Sequence, residues 1–253
     1  ASKKTELYQL RGIGHRMPIT MTAFTIVKII VYVFGVDFLF SEPSSGWLLY
    51  AAAFTIIAAS VVALRQQNLK RLLAYSTVAQ LSYVVMASAI LKPLAEVGAA
   101  MHMLAHSFGK ITLFFAAGAI YTASKKTELG QLSGIGLRMP ITMTAFTIGA
   151  LSMIGVPPTA GFVSKWYILA GAFQADNYLA LATIILSTAL NAAYFLPIVY
   201  IAWFGKDVTP AGKEHGEAPF AAVLALAVTA LLTLALFVYS APVYELESQL
   251  VTG

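Results

Sequence analysis

The chain has 253 residues, 59% of them apolar and 11% charged, and its mean hydropathy is +0.78. Those values exclude an ordinary soluble domain and predict an all-α, polytopic membrane helical bundle. With no cysteine there is no disulfide framework and no thiolate metal site, and the net charge of +5 calls for another explanation than a nucleic-acid partner.

Apolar runs near the length of a bilayer crossing predict spans at about 17–40, 46–65, 72–91, 97–121, 178–204 and 218–241. The stretch 139–175 is left over. It is too long for one straight helix at about 1.5 Å per residue and too short for a tight pair. Its centre, GVPPTAG, predicts one crossing made of two half-helices, discontinuous around Gly155–Gly161. That makes about seven crossings.

The loop charges agree with these spans. Twelve Lys and Arg fall on one side, in the groups at 3–16, 65–71, 125–138 and 206–213, and only Lys92 falls on the other. Cytoplasmic loops collect Lys and Arg, so the N-terminus is expected in the cytoplasm and the C-terminus outside. The positive charge then reports topology. The N-terminus also lacks the short apolar core of a cleavable signal peptide.

Three lysines remain inside the spans: Lys28, Lys110 and Lys165. An ionisable group at membrane depth costs several kcal/mol, and function is the usual reason it persists. Desolvation disfavours the ammonium, which suits a buried lysine to exchanging protons. Snorkelling to an interface or a structural hydrogen bond is the competing explanation. Lys165 stands one turn beyond the break. Half-helix ends leave backbone N–H and C=O groups that survive in lipid only where they line a polar cavity or bind ions. A plain proline kink would need no lysine there.

A second constellation lies in "AAMHMLAHSFGKITLFFAAGAIY", where His102, His106 and Lys110 follow one another at i, i+4 and i+8. That spacing stacks them on one helical face over about 12 Å. Histidine exchanges protons near neutral pH, and the row reads as a proton relay. Two histidines at i, i+4 also suit a metal, but no carboxylate or cysteine lies near to complete the set, and no metal is expected. Interhelical hydrogen bonding is the other structural explanation. Ser76, Gln80 and Ser82 in the preceding span suit water or a neighbouring helix. No Asp or Glu falls clearly at mid-membrane.

The stretches "LKRLLAYSTVAQLSY", "MHMLAHSFGKITLFFAAGAIY" and "RMPITMTAFTIGALSMIGVPPTAGFVSKWYIL" resemble three successive signatures of one family. It comprises the antiporter-like subunits of Mrp-type cation/proton antiporters, respiratory complex I and membrane-bound hydrogenases. The likeness runs from about Lys28 to Gly205, and "VYVFGVDFL" and "SKWYILAGA" look most like the D-type subunit of an Mrp antiporter. The resemblance implies that His106 and Lys110 belong to a central hydrophilic axis, with His102 one turn before it. It puts Lys165 on the discontinuous helix, toward the exit side. It further implies other membrane subunits as partners, a place in the cell's inner membrane, and protons and Na+ as the transported ions.

The chain departs from the family at its start. Residues 1–26, "ASKKTELYQLRGIGHRMPITMTAFTI", repeat residues 123–148 with 23 of 26 identical at an offset of 122. Transporter repeats are typically weakly similar and often inverted, whereas this copy is direct and ends at Ile26. A recombined gene, an engineered chain or a true duplication would each produce it. Family members carry several further helices upstream, one with a glutamate and one with a lysine. Residues 27–253 are therefore expected to hold the second half of a proton path. By alignment the family's lysine near the junction falls around Thr20, which makes Lys28 its neighbour.

The sequence thus predicts a membrane subunit conducting protons through Lys28, His102, His106, Lys110 and Lys165, coupled to cation exchange. Alternatives are a proton-pumping subunit of a complex I-like oxidoreductase, and a non-conducting scaffold or incomplete fragment. No cofactor-binding motif occurs. No carboxylate pair, or nucleophile with its base, points to a membrane enzyme.

Overall fold

The computed structural model describes residues 46–207 and 216–245. The predicted span at 17–40, with Lys28, and the copied residues 1–26 lie outside the described residues. The described helices are α1 (Trp47–Leu64), α2 (Leu69–Ala89), α3 (Pro93–Ser124), α4 (Pro140–Ile154), α5 (Ala160–Gln174), α6 (Tyr178–Phe204) and α7 (Phe220–Val238). Five of them, α1, α2, α3, α6 and α7, are long and apolar enough to cross a membrane, and α4 is a shorter apolar helix. The leftover stretch is two helices with a break between, as the GVPPTAG centre predicts.

The helix ends follow local chemistry more closely than hydropathy. The side chain of Asn68 accepts from the backbone N–H of Lys70 and Arg71, which starts α2 at Leu69, ahead of the predicted apolar run. Pro93 opens α3 at its first position, and Lys125, at a left-handed φ of 59°, closes it after 32 residues. At about 1.5 Å per residue, α3 reaches about 48 Å, beyond a hydrocarbon layer of about 30 Å.

The loops bearing the positive groups at 65–71, 125–138 and 206 meet at one end of the bundle. Asn68 and Glu128 form an isolated antiparallel bridge, with Leu69 N–H donating to Thr127 O and Leu129 N–H to Gln67 O. Arg138 Nε pairs with Asp207 Oδ2 at 2.5 Å. Glu217 caps the start of α4, accepting from Ile141 N–H at 2.7 Å and Thr142 N–H at 3.2 Å.

Two apolar clusters divide the core. One gathers Leu72, Leu73, Leu113, Phe146, Phe195 and Ile198, and the other Ile56, Tyr83, Val84, Ala99, Ile168 and Ile184. On α2 the first cluster stops at Leu73 and the second begins at Tyr83, with Ser76 and Gln80 buried between. On α3 the interval between Ala99 and Leu113 contains His102, His106 and Lys110, and on α6 the interval from Ile184 to Tyr194 contains Ser187 and Asn191. These buried polar side chains of three helices therefore fall into one layer between the two apolar clusters. Helix α3 sits at its centre, packed against α2, α4, α5 and α7.

Candidate functional site

The break between α4 and α5 shows why the sequence places prolines there. In a continuous helix the carbonyls of Met153 and Ile154 would accept from residues 157 and 158, which are Pro157 and Pro158 and have no N–H. Gly155 turns the chain out of the helix at φ 89°. The ammonium of Lys165 supplies the missing donors, with Nζ 2.9 Å from Met153 O and 3.0 Å from Ile154 O. It also lies 5.1 Å above the ring centroid of Tyr83. A charge with donors only meets two acceptors that lost theirs.

Close backbone contact brings the histidine row to this break. A Cβ on Gly98 would lie 2.7 Å from Ile168 N, and one on Gly171 would lie 2.5 Å from Ala95 N. Helices α3 and α5 approach to a distance only glycine permits. That approach sets His102 Nδ1 2.9 Å from Ser164 Oγ. Ser164 Oγ also lies 3.1 Å from Gly161 O, and its one proton serves that carbonyl or His102 Nδ1 according to the tautomer of the ring. His102 Nε2 and His106 Nδ1 are buried and have no hydrogen-bond partner among the described residues. The two rings stand 6.3 Å apart.

Lys110 ends the row toward the opposite cluster. Its Nζ donates to Ser76 Oγ at 2.8 Å and to Leu73 O at 3.2 Å, and lies 5.8 Å from the Phe195 ring. All four titratable side chains are buried: His102, His106, Lys110 and Lys165 are 1%, 4%, 5% and 6% exposed. The structure gathers these four sequence-predicted residues into one layer, and Lys28 lies outside the described residues. Among the described residues no cluster of His, Asp or Glu has the make-up of a metal site.

Several residues of the layer escaped the sequence reading, which weighed ionisable groups first. Asn191 and Tyr194 of α6 are neutral, and a lone Asn in an apolar run three residues before a Tyr was the available signal. Ser164 was hidden because only the fold brings it to His102. Outside the layer, Glu96, one residue before the predicted 97–121 span, is buried in the first turn of α3.

Residues 6–191 match the family model described as NADH:quinone oxidoreductase/Mrp antiporter, transmembrane. NADH-quinone oxidoreductase subunit N of Desulforudis audaxviator is 38% identical over 174 residues, covering 69% of this chain and 34% of that protein. A chain of the Mrp complex from Dietzia sp. DQ12-45-1b superposes with a TM-score of 0.82 at 21% identity, over 90% of this chain and 50% of that one. A chain of the membrane-bound sulfane sulfur reductase, an archaeal respiratory membrane complex, gives a TM-score of 0.75 at 28% identity, over 82% of this chain and 42% of that one. The chain thus spans a third to a half of the length of these relatives. The match over residues 6–191 and the helical membrane fold agree: the chain belongs to the NADH:quinone oxidoreductase/Mrp antiporter transmembrane family.

Proposed function

We propose that this chain conducts protons along Lys110, His106, His102 and Lys165, as the D-type subunit of a multisubunit monovalent cation/proton antiporter. The observation that carries this reading is the layer itself. Four titratable side chains from two helices stack between two apolar clusters, where ionisable groups without a function are disfavoured.

Each group has a part that its contacts support. His102 exchanges its proton through the unpartnered Nε2 while Ser164 holds the ring by Nδ1. Water links the groups that stand too far apart for direct transfer. Lys165 takes up the proton on the carbonyls of Met153 and Ile154, and releases it toward the exit side as positive charge arrives behind it. Lys28, in the sequence-predicted 17–40 run, belongs to the same relay in this reading. Translocation belongs to the assembled complex, with other membrane subunits as partners and Na+ as the exchanged ion. The subunit lies in the cell's inner membrane, with its N-terminus in the cytoplasm and its C-terminus outside.

The 38% identity to a subunit of an NADH-quinone oxidoreductase favours a second reading, a proton-pumping subunit driven by electron transfer in partner chains. The test is proton flux in liposomes holding the chain with its copurifying subunits, compared with Lys165→Ala. Flux that requires Lys165 and rises with a Na+ gradient supports the antiporter. Flux that requires Lys165 and an electron donor supports the redox-driven pump. Assembly and transport unchanged in Lys165→Ala would overturn the relay in favour of a scaffold.

A further inference from the structure

A set of neutral side chains joins Lys110 to the break without passing through either histidine. Lys110 Nζ donates to Ser76 Oγ at 2.8 Å. Tyr194 Oη lies 3.1 Å from Ser76 Oγ and hydrogen-bonds Asn191 Oδ1. Asn191 Nδ2 donates at 3.3 Å to Met153 O, the oxygen that also accepts from Lys165 Nζ at 2.9 Å.

Counting protons gives every link one direction. Met153 O carries no proton, so the NH2 of Asn191 faces it and Oδ1 faces Tyr194. Asn191 Oδ1 carries none either, so Tyr194 donates its only proton there. The contact between Ser76 and Tyr194 is then Ser76 donating to Tyr194, which leaves Ser76 Oγ to accept from Lys110. All four links donate away from Lys110 and toward the break.

We propose that Ser76, Tyr194 and Asn191 form a second branch between the two lysines, with Tyr194 and Asn191 as positioning residues that transmit the proton state of Lys110 to the carbonyl holding Lys165. A charged Lys110 strengthens each following bond in turn, because hydrogen bonds that point the same way polarise one another. The branch ends in competition. Met153 O has two lone pairs and three donors aimed at it: Lys165, Asn191 and, at 3.4 Å, Gln80 Nε2. A stronger bond from Asn191 weakens the hold on Lys165, and loss of the Lys110 proton returns the carbonyl to Lys165. The branch acts in the same sense as direct repulsion between the two ammonium groups, and so favours their carrying the proton in turn.

The inference rests on the relay reading above, and its test separates the two. Tyr194→Phe removes one hydroxyl and keeps the ring packed against Phe195, whose centroid is 4.7 Å away. In the full chain with its copurifying subunits, Lys165-dependent flux per folded molecule is expected to fall roughly three- to tenfold, as for one hydrogen bond, with the thermal midpoint lowered but the chain still folded, because Asn191 Oδ1 loses its donor. Adding Ser76→Ala to Tyr194→Phe is expected to cause no further loss, whereas adding His102→Gln multiplies the two losses. Unchanged flux in Tyr194→Phe, or losses that multiply for Ser76 and Tyr194, would overturn the branch and leave the relay standing. A second measurement needs no transport: the infrared tyrosine C–O band that Tyr194→Phe removes is expected to shift in Lys110→Gln. A band that does not move overturns the branch. A band that moves in a chain without Lys165-dependent flux supports the coupling and overturns the relay.

Discussion

Lys165 Nζ stands 2.9 Å from the carbonyl of Met153, the residue whose helical hydrogen-bond partner would have been Pro157. Its second acceptor, Ile154 O at 3.0 Å, is orphaned in the same way by Pro158. The prolines and the lysine are one device: the first two remove donors and the third returns them with a charge attached. Since a carbonyl cannot give up a proton, that charge is what the site can gain or lose.

This arrangement separates two roles of Lys165. Lys165→Arg keeps a cationic donor at the carbonyls but introduces a group that does not deprotonate in proteins. Transport is expected to fall to background while thermal stability stays within a few degrees of the parent. Lys165→Ala is expected to lose both, since a buried carbonyl left unsatisfied costs about 1–3 kcal/mol. Paired flux and thermal-unfolding measurements distinguish the two variants.

The prolines can be tested without touching the lysine. Changing both Pro157 and Pro158 to Ala restores two backbone N–H groups that compete with Lys165 for Met153 O and Ile154 O. Flux is expected to drop although Lys165, His102 and His106 are all present. Parent-level flux in the double variant would show that the orphaned carbonyls do not matter to transport.

Ser164 fixes His102 through the hydrogen bond between its Oγ and Nδ1 of the ring. Ser164→Ala leaves Nδ1 without its partner, at a cost of about 1 kcal/mol, and frees the ring to rotate. Flux is expected to fall several-fold, and Ser164→Thr, which keeps the hydroxyl, is expected to recover much of it. Equal losses in both variants would show that restoring the hydroxyl alone does not restore transport.

Gly171 tests the contact that brings α5 to α3. A side chain there meets the backbone of Ala95, and backbone cannot move aside cheaply. Gly171→Val is expected to destabilise the bundle by about 2 kcal/mol or more, within the range of strained and overpacked cores. Both the yield of folded protein and the unfolding midpoint should fall.

Glu217 provides the contrast, because it caps α4 far from the layer. Glu217→Ala is expected to cost about 1 kcal/mol, as lost helix caps do. The unfolding midpoint should move while the flux per folded molecule does not. A large change in flux would mean that the loop before α7 takes part in transport.

Much of this protein was legible in one dimension. Hydropathy marked the crossings, because lipid demands long apolar helices with every backbone group satisfied. Spacing put His102, His106 and Lys110 on one face, because an α-helix repeats every 3.6 residues. GVPPTAG announced the break, because proline has no N–H. Each of these follows from residues close together along the chain. What only the tertiary structure decided is who meets whom across helices. Lys165 found Met153 and Ile154 by folding back over the break, Ser164 reached His102 because Gly98 and Gly171 let two backbones touch, and Tyr194 and Asn191 joined Lys110 to the break from a helix whose sequence reads as merely apolar. Hydrogen bonds between helices depend on distance and direction in three dimensions, and neutral polar residues leave no periodicity or charge to betray their partners.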